Sequence, residues 1–250
     1  MLKRALRRIR LWRAPDFVTC EGVRLPPPHL RFCGAEFQDD RYFLASARGE
    51  ARRLAEEAGL TSRSRVLDVG CGPGRLAIGL LDLPGGVAEY LGLDVHRPSI
   101  DWCTRHLGRS HPAFRFHHVN VRNDRYNPDG SQQAGAVRLP AESASHDIAY
   151  LYSVFSHMLP ADVEGYLHEL HRVLAPGGTL FFTGFVETEV PEVSVNPPGY
   201  VRSWSGPLHC VRYERGYVER MLGAAGFAME KLAHGTETDR QSAIFARRTP

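Results

Sequence analysis

An apolar run closed by an acid and then broken by three glycines constrains this chain more than any other feature: residues 66–77 read VLDVGCGPGRLA. The β-branched and leucine stretch has the composition and length of a buried strand. Gly70, Gly72 and Gly74 allow a sharp backbone turn, and the residues after them are spaced as in a helix. A strand that turns through glycines into a helix N-terminus is expected to leave backbone N–H groups facing a nucleotide-type ligand.

Spacing separates the possible ligands. Dinucleotide sites use G-x-G-x-x-G, whose third glycine lets the helix pack on the strand. In this chain Pro73 lies inside the loop and Arg75 stands where that third glycine would be, so the fit to NAD is poor. Asp68, two positions before the first glycine, suits instead a ligand with an ammonium group, because a carboxylate at a strand end pairs with such a charge at short range. S-adenosylmethionine carries one.

With Asp68 followed by G-x-G-x-G, the chain resembles the class I S-adenosylmethionine-dependent methyltransferases, and the resemblance extends from about residue 66 to the C-terminus. In YLGLDV, Asp94 ends the next strand, where the resemblance implies a carboxylate on the ribose hydroxyls, with Val95 beside it. FRFHHVNV ends in Asn120 and Val121, which the resemblance places at the adenine amine and ring. HDIAYLYSVFSHM is similar to the family's fourth strand and the loop bordering the transferred methyl, with Tyr152 among the cofactor contacts. LHELHRVLAPGGTLFF is similar to its helix, Pro-Gly-Gly turn and fifth strand. The implied cofactor set is Asp68, Gly70, Cys71, Gly72, Gly74, Asp94, Val95, Asn120, Val121 and Tyr152, and the implied product is S-adenosylhomocysteine.

Strand and helix patterns alternate from RVLDVG to TLFFTGFV, which implies a parallel sheet with helices on both faces. The expected fold is α/β, a doubly wound, mostly parallel seven-stranded sheet with an N-terminal helical cap, and the resemblance implies that its last strand is antiparallel. Residues 15–60 are read as a connector and cap helix, with DDRYFLASARGEARRLAEEAGL as the capped helix, and residues 61–250 as the catalytic domain. Two long polar stretches interrupt the plan, residues 122–140 and residues 187–212. Both come after strand C-termini, where open α/β sheets bind ligands, so both are expected to line the acceptor pocket. Within the second, Asn196-Pro197-Pro198-Gly199-Tyr200 reads as a proline-stiffened pocket loop, because Gly199 separates the aromatic from the prolines.

Charge narrows the partners. Six of the 31 Lys and Arg residues lie in the first thirteen positions, with no acid among them, leaving 25 basic against 28 acidic residues in the remainder. A body of net −3 is a poor general binder of nucleic acid. Residues 1–14 read as a basic amphipathic tail, with Leu2, Ala5, Leu6, Ile9 and Trp12 on one helical face, able to lie on an anionic membrane surface, to stay as a solvated tail or to pack as a helix on the domain. Five cysteines without a C-x-x-C pair suggest neither a disulfide framework nor a zinc site, and with no long apolar run the expected location is cytoplasmic, with peripheral membrane contact through the tail as an option.

Methyl transfer is an in-line displacement whose acceptor sets the remaining chemistry. A hydroxyl needs a base within about 3 Å, whereas an amine needs only its lone pair. His157, after the fourth strand, and His209, in the second insertion, are the candidate bases. His168 and His171 share a helix but lack the H-E-x-x-H spacing of a metal site, and neighbouring His117 and His118 on a strand must face opposite ways. The reading is O-methylation of a small molecule or glycan hydroxyl, with N- or C-methylation, or a cofactor-binding regulatory domain without turnover, as the alternatives.

Overall fold

The computed structural model describes residues 16–32, 34–132 and 134–250. The basic tail falls outside the described residues. The described chain opens with β1 (Val18–Cys20) and β2 (Val23–Leu25), a hairpin turned by Glu21 and Gly22, both at positive φ. The sequence pattern suggests only a connector there.

α1 (Asp40–Glu57) begins where Asp39 accepts the N–H of Tyr42 at 2.8 Å. Its apolar residues at helical spacing, Phe43, Leu44, Ala47, Ala51 and Leu54, with Ala58 just beyond its end, form a buried stripe. The stripe lands on α2 (Arg75–Asp82) at Gly79, where a Cβ would come within 2.0 Å of the Ala47 carbonyl oxygen. Only glycine permits that approach, so the cap helix and the helix after the glycine loop are locked together.

The sheet contains β3 (Arg65–Val69), β4 (Glu89–Asp94), β5 (Phe114–His118), β6 (His146–Leu151) and β7 (Leu174–Glu187), all parallel, in the order β7-β6-β3-β4-β5. Connecting helices are α3 (Arg97–Cys103) and α4 (Pro160–Val173).

Two strands lie outside the expected plan. β8 (Val193–Val195) and β9 (Val211–Glu214) pair with each other, and β9 runs parallel to the end of β7, with Phe185 opposite Arg212. The ends of the second insertion are therefore sheet, an arrangement that its prolines conceal. After α5 (Arg215–Ala224), β10 (Phe227–Ala233) and β11 (Ser242–Arg248) complete the other edge, with β11 inserted antiparallel between β7 and β10. With them the main path has the expected seven strands.

Alternation along the strands divides the core. Leu67, Val69, Leu91, Leu93, Ala149 and Leu151 pack with α4 and α5, while Val66, Tyr90, Ile148 and Tyr150 pack with α1, α2 and α3. Both faces of the sheet are thus dry, and ligands have access only at the strand ends. Cys20, Cys71, Cys103 and Cys210 are free thiols. No helix among the described residues is long and apolar enough to cross a membrane.

Candidate active site

The glycine loop is held by the strand beside it. The Gly70 and Cys71 N–H groups donate to the Leu93 carbonyl at 2.7 and 3.0 Å, and Gly74 N–H donates to the Cys71 carbonyl at 3.0 Å. Gly72 N–H donates to Asp94 Oδ2 at 2.7 Å. The expectation of N–H groups left open for a ligand is therefore corrected at these four positions, because β4 already accepts three of them and the loop itself the fourth. The glycines act through shape. Gly70 has φ +79° and would place a Cβ 2.5 Å from Val154 Cγ2, so no other residue lets the loop lie this close to the segment after β6.

A buried acid, Asp68, and a half-buried one, Asp94, face the resulting crevice. Asp68 accepts the Tyr90 hydroxyl on Oδ2 at 2.6 Å, while its Oδ1 is buried with no hydrogen-bond partner. Burial pushes this carboxyl up to about 7, against the opposing pull of Tyr90 and Arg75. An unpartnered buried carboxylate oxygen is costly unless a ligand supplies the donor. Asp94 accepts His96 N–H on Oδ1 and Gly72 N–H on Oδ2, both at 2.7 Å. Two backbone bonds use about half of a carboxylate's roughly four acceptor positions, which leaves capacity for two hydroxyls. The residues therefore fit a ligand that presents an ammonium group at one end and a diol further along.

The crevice spans about 1140 Å³ including its open mouth, and aromatic rings line much of its wall. Phe32, Phe37 and Phe43 come from the N-terminal cap, and Tyr152 from the end of β6. The Arg75 guanidinium lies 4.2 Å from the Tyr152 ring centre and 5.4 Å from that of Phe37, and donates to the Tyr150 hydroxyl at 3.3 Å. Tyr150 in turn donates to buried Glu50 at 2.9 Å. This polar link between cap helix and loop is not legible in the sequence, although Arg75 stands out there as a departure from the dinucleotide pattern.

At the other end, His157 is buried and its Nδ1 lies 3.1 Å from the Leu208 carbonyl. A carbonyl only accepts, so Nδ1 carries the proton and Nε2 presents its lone pair, 3.4 Å from Ser153 Oγ. Burial lowers the imidazole to about 4, with smaller contributions from nearby cations, and the ring is neutral at pH 7. Ser153 has φ +57° and is fixed by its N–H on Thr183 Oγ1 at 2.8 Å and by Gln241 Nε2 donating to its hydroxyl at 2.9 Å. Strain of this kind is held only where the surroundings enforce it.

Of the residues predicted from the sequence, Asp68, Gly70, Cys71, Gly72, Asp94, Val95, Val121, Tyr152 and His157 line this one crevice. Three do not. Gly74 packs the start of α2 against Leu107 and Cys103. Asn120 spends its amide inside the first insertion, donating to Ser131 and accepting from Asn127. His209 lies behind the wall, its ring centre 6.5 Å from that of His157.

The first insertion supplies Arg122, Asn123 and Tyr126 to the lining. The second supplies no lining side chain among the described residues, contrary to expectation, and reaches the site through the Leu208 carbonyl. The stiff loop at Tyr200 is turned away, its hydroxyl donating to Glu187.

Residues 67–182 match the family described as "Methyltransferase domain". Over 142 residues the chain is 33% identical to demethylmenaquinone methyltransferase of Deinococcus radiodurans, covering 57% of this chain and 52% of that protein, so it spans about half of this relative's length. Among solved structures it is similar to the [4+2]-cyclase SpnF, with TM-score 0.59, 19% identity and coverage of 88% and 84% of the two chains. It is also similar to 1,6-didemethyltoxoflavin-N1-methyltransferase of Burkholderia thailandensis, a structure with bound S-adenosylhomocysteine, with TM-score 0.54, 16% identity and coverage of 84% and 80%. At these identities the two structures support the fold.

Proposed function

Because the chain carries a class I S-adenosylmethionine-dependent methyltransferase domain, we propose that it methylates a hydroxyl of a small molecule or glycan. The observation that carries the hydroxyl assignment is His157, a neutral imidazole with its proton committed to Leu208 and its lone pair on the crevice side. When bound, S-adenosylmethionine supplies a methyl group activated by a positive sulfur.

The chain's own residues would do the rest. Asp68 Oδ1 would receive the ammonium group and Asp94 the ribose hydroxyls. Val95 and Val121 offer apolar contact for the adenine ring. Phe37 and Phe43, both buried, bring apolar surface to the crevice, and surroundings of this kind favour a displacement in which the positive sulfur would leave as a neutral thioether. His157 Nε2 would take the acceptor's proton as its oxygen attacks, the Leu208 carbonyl holding the imidazole orientation while the charge forms.

One observation favours a second reading. Burial holds His157 at about 4, which makes it a weak base, and an amine acceptor would need none. A fold shared with a cyclase also shows that architecture alone does not select the reaction.

Labelled S-adenosylmethionine incubated with the protein and small-molecule extracts, with products identified by mass spectrometry, tests the proposal. An O-methylated product whose formation collapses in His157→Gln supports it. An N- or C-methylated product made equally well by His157→Gln transfers the assignment to the second reading, and cofactor binding without any labelled product would leave a regulatory domain.

A further inference from the structure

Glu50 is a buried carboxylate that neither the donor site nor the base uses. It lies on α1, outside the matched residues 67–182, and reaches the crevice through one hydroxyl. A guanidinium only donates and a phenol has one proton, so the order of the chain is fixed: Arg75 Nη2 donates to the Tyr150 hydroxyl at 3.3 Å, and Tyr150 donates to Glu50 Oε2 at 2.9 Å. Glu50 Oε1 adds charge contacts to Arg75 at 3.9 Å and to Arg53 at 3.6 Å, and Arg53 has a second acid in Glu237 at 3.0 Å. The rings of Tyr152 and Phe37 lie against the Arg75 guanidinium, at 4.2 and 5.4 Å. The cap therefore sets where the charge of Arg75 sits.

Strand register places that charge. Tyr150 on β6 is the partner of Asp68 on β3, so the two side chains share one face of the sheet on strands about 4.8 Å apart. Asp68 Oδ1, the proposed ammonium site, thus lies beside the residue to which Arg75 is tied, and both Asp68 and Arg75 line the crevice. Asp94 lies on the other side of Asp68, at the end of β4, and Val121 follows β5 beyond it. Among the described lining residues the other Lys or Arg is Arg122, past β5, which has an acid of its own in Asp124 at 3.4 Å. An α-amino acid carries its ammonium and carboxylate on one carbon, so the group that receives the carboxylate must stand next to Asp68. We infer that Arg75, positioned by Glu50 of the cap helix through Tyr150, receives the carboxylate at the amino-acid end of S-adenosylmethionine. Asp68 and Arg75 then present opposite charges matched to a zwitterion, with the guanidinium fork suited to two coplanar oxygens. This inference rests on Asp68 receiving the donor's ammonium group and is independent of the acceptor.

Decarboxylated S-adenosylmethionine keeps the ammonium group, the positive sulfur and the ribose, so comparing it with S-adenosylmethionine isolates the carboxylate. Calorimetric titration of the full chain with each ligand should show at least about a tenfold preference for the one that bears the carboxylate. In Arg75→Met, S-adenosylmethionine should bind at least about tenfold more weakly while the analogue changes by less than about threefold, so the preference disappears. In Glu50→Gln, which leaves Arg75 charged but less firmly placed, the preference should fall by at least about threefold. Thermal melting checks that each variant is folded, and the comparison within the unaltered chain needs no substitution.

Equal affinity for the two ligands in the unaltered chain, a preference that survives Arg75→Met, or an Arg75→Met variant that loses both ligands equally, as a purely structural role would produce, would overturn the assignment to Arg75. An unchanged preference in Glu50→Gln would overturn the positioning role of the cap. Equal affinity leaves cofactor binding and the proposed methyl transfer in place, whereas binding of neither ligand removes them together with the inference, so the two failures are separable.

Discussion

The two ends of the crevice are built differently. At the cofactor end, Asp68, the glycine loop and Asp94 lie within 27 residues of sequence, and the loop is fixed by hydrogen bonds to the adjacent strand. At the end where the acceptor is proposed to bind, His157 is oriented by a carbonyl 51 residues away and Ser153 by an amide 88 residues away, and behind the wall Arg125 meets His209 across 84 residues. The first end is specified by a short run of sequence that any chain of this fold needs for its turn. The second is assembled by segments that follow strand C-termini, which is where an open α/β sheet places its ligands.

The contrast can be broken most decisively at His157. If it is the base, His157→Gln should lower kcat by about 10²–10⁴-fold while leaving cofactor affinity within about twofold, as measured by turnover and calorimetry. A comparable loss of cofactor affinity would erase the division between the two ends.

The same residue gives stability a pH dependence. Its folded value of about 4 lies below the ordinary histidine value, so the folded chain binds fewer protons than the unfolded one between about pH 6.5 and 4. Stability is therefore lost as pH falls through that window. His146, also lowered to about 4, contributes in the same sense, so His157→Gln should flatten the thermal-melting profile in part.

Next in size is Asp94→Ala, which removes two backbone ties and the proposed ribose contacts. Charge-assisted hydrogen bonds are worth roughly 1.5–3 kcal/mol each, so cofactor affinity should fall by at least about 100-fold in calorimetry. An unchanged affinity would mean that the sugar is held elsewhere.

Gly79→Ala tests the scaffold without touching either end. The Cβ would strike the Ala47 carbonyl, and overpacking of this kind costs about 1–3 kcal/mol, seen as a lower melting temperature. The smallest effect is expected for Asn120→Ala, within about threefold in cofactor affinity, because its amide is engaged inside the first insertion. A large loss would restore Asn120 to the adenine site.

Legibility in the sequence divides along the same line. The α1 stripe and the order of strands and helices are where local periodicity and spacing place them, the antiparallel β11 is where the family resemblance places it, and nine of the twelve predicted site residues line the crevice. Asn120 is misplaced by the sequence pattern because the chain turns into the insertion after β5, and spacing counted along a strand carries no information about the path beyond its end. Glu50 is hidden because it sits in a polar stretch of α1, and its burial depends on Tyr150, 100 positions away. The loop N–H groups look open in sequence because most of their acceptors belong to another strand.

Asp68 Oδ1 as the anchor for a positively charged donor is the central claim. Calorimetric titration of S-adenosylmethionine between pH 5.5 and 8.5 tests it most directly. With the free carboxyl at about 7 and the ammonium requiring its charged form, affinity should rise with pH through that region, with proton release on binding, and Asp68→Asn should bind more weakly without this dependence. A flat profile, or an Asp68→Asn variant that binds like the unaltered chain, would contradict it.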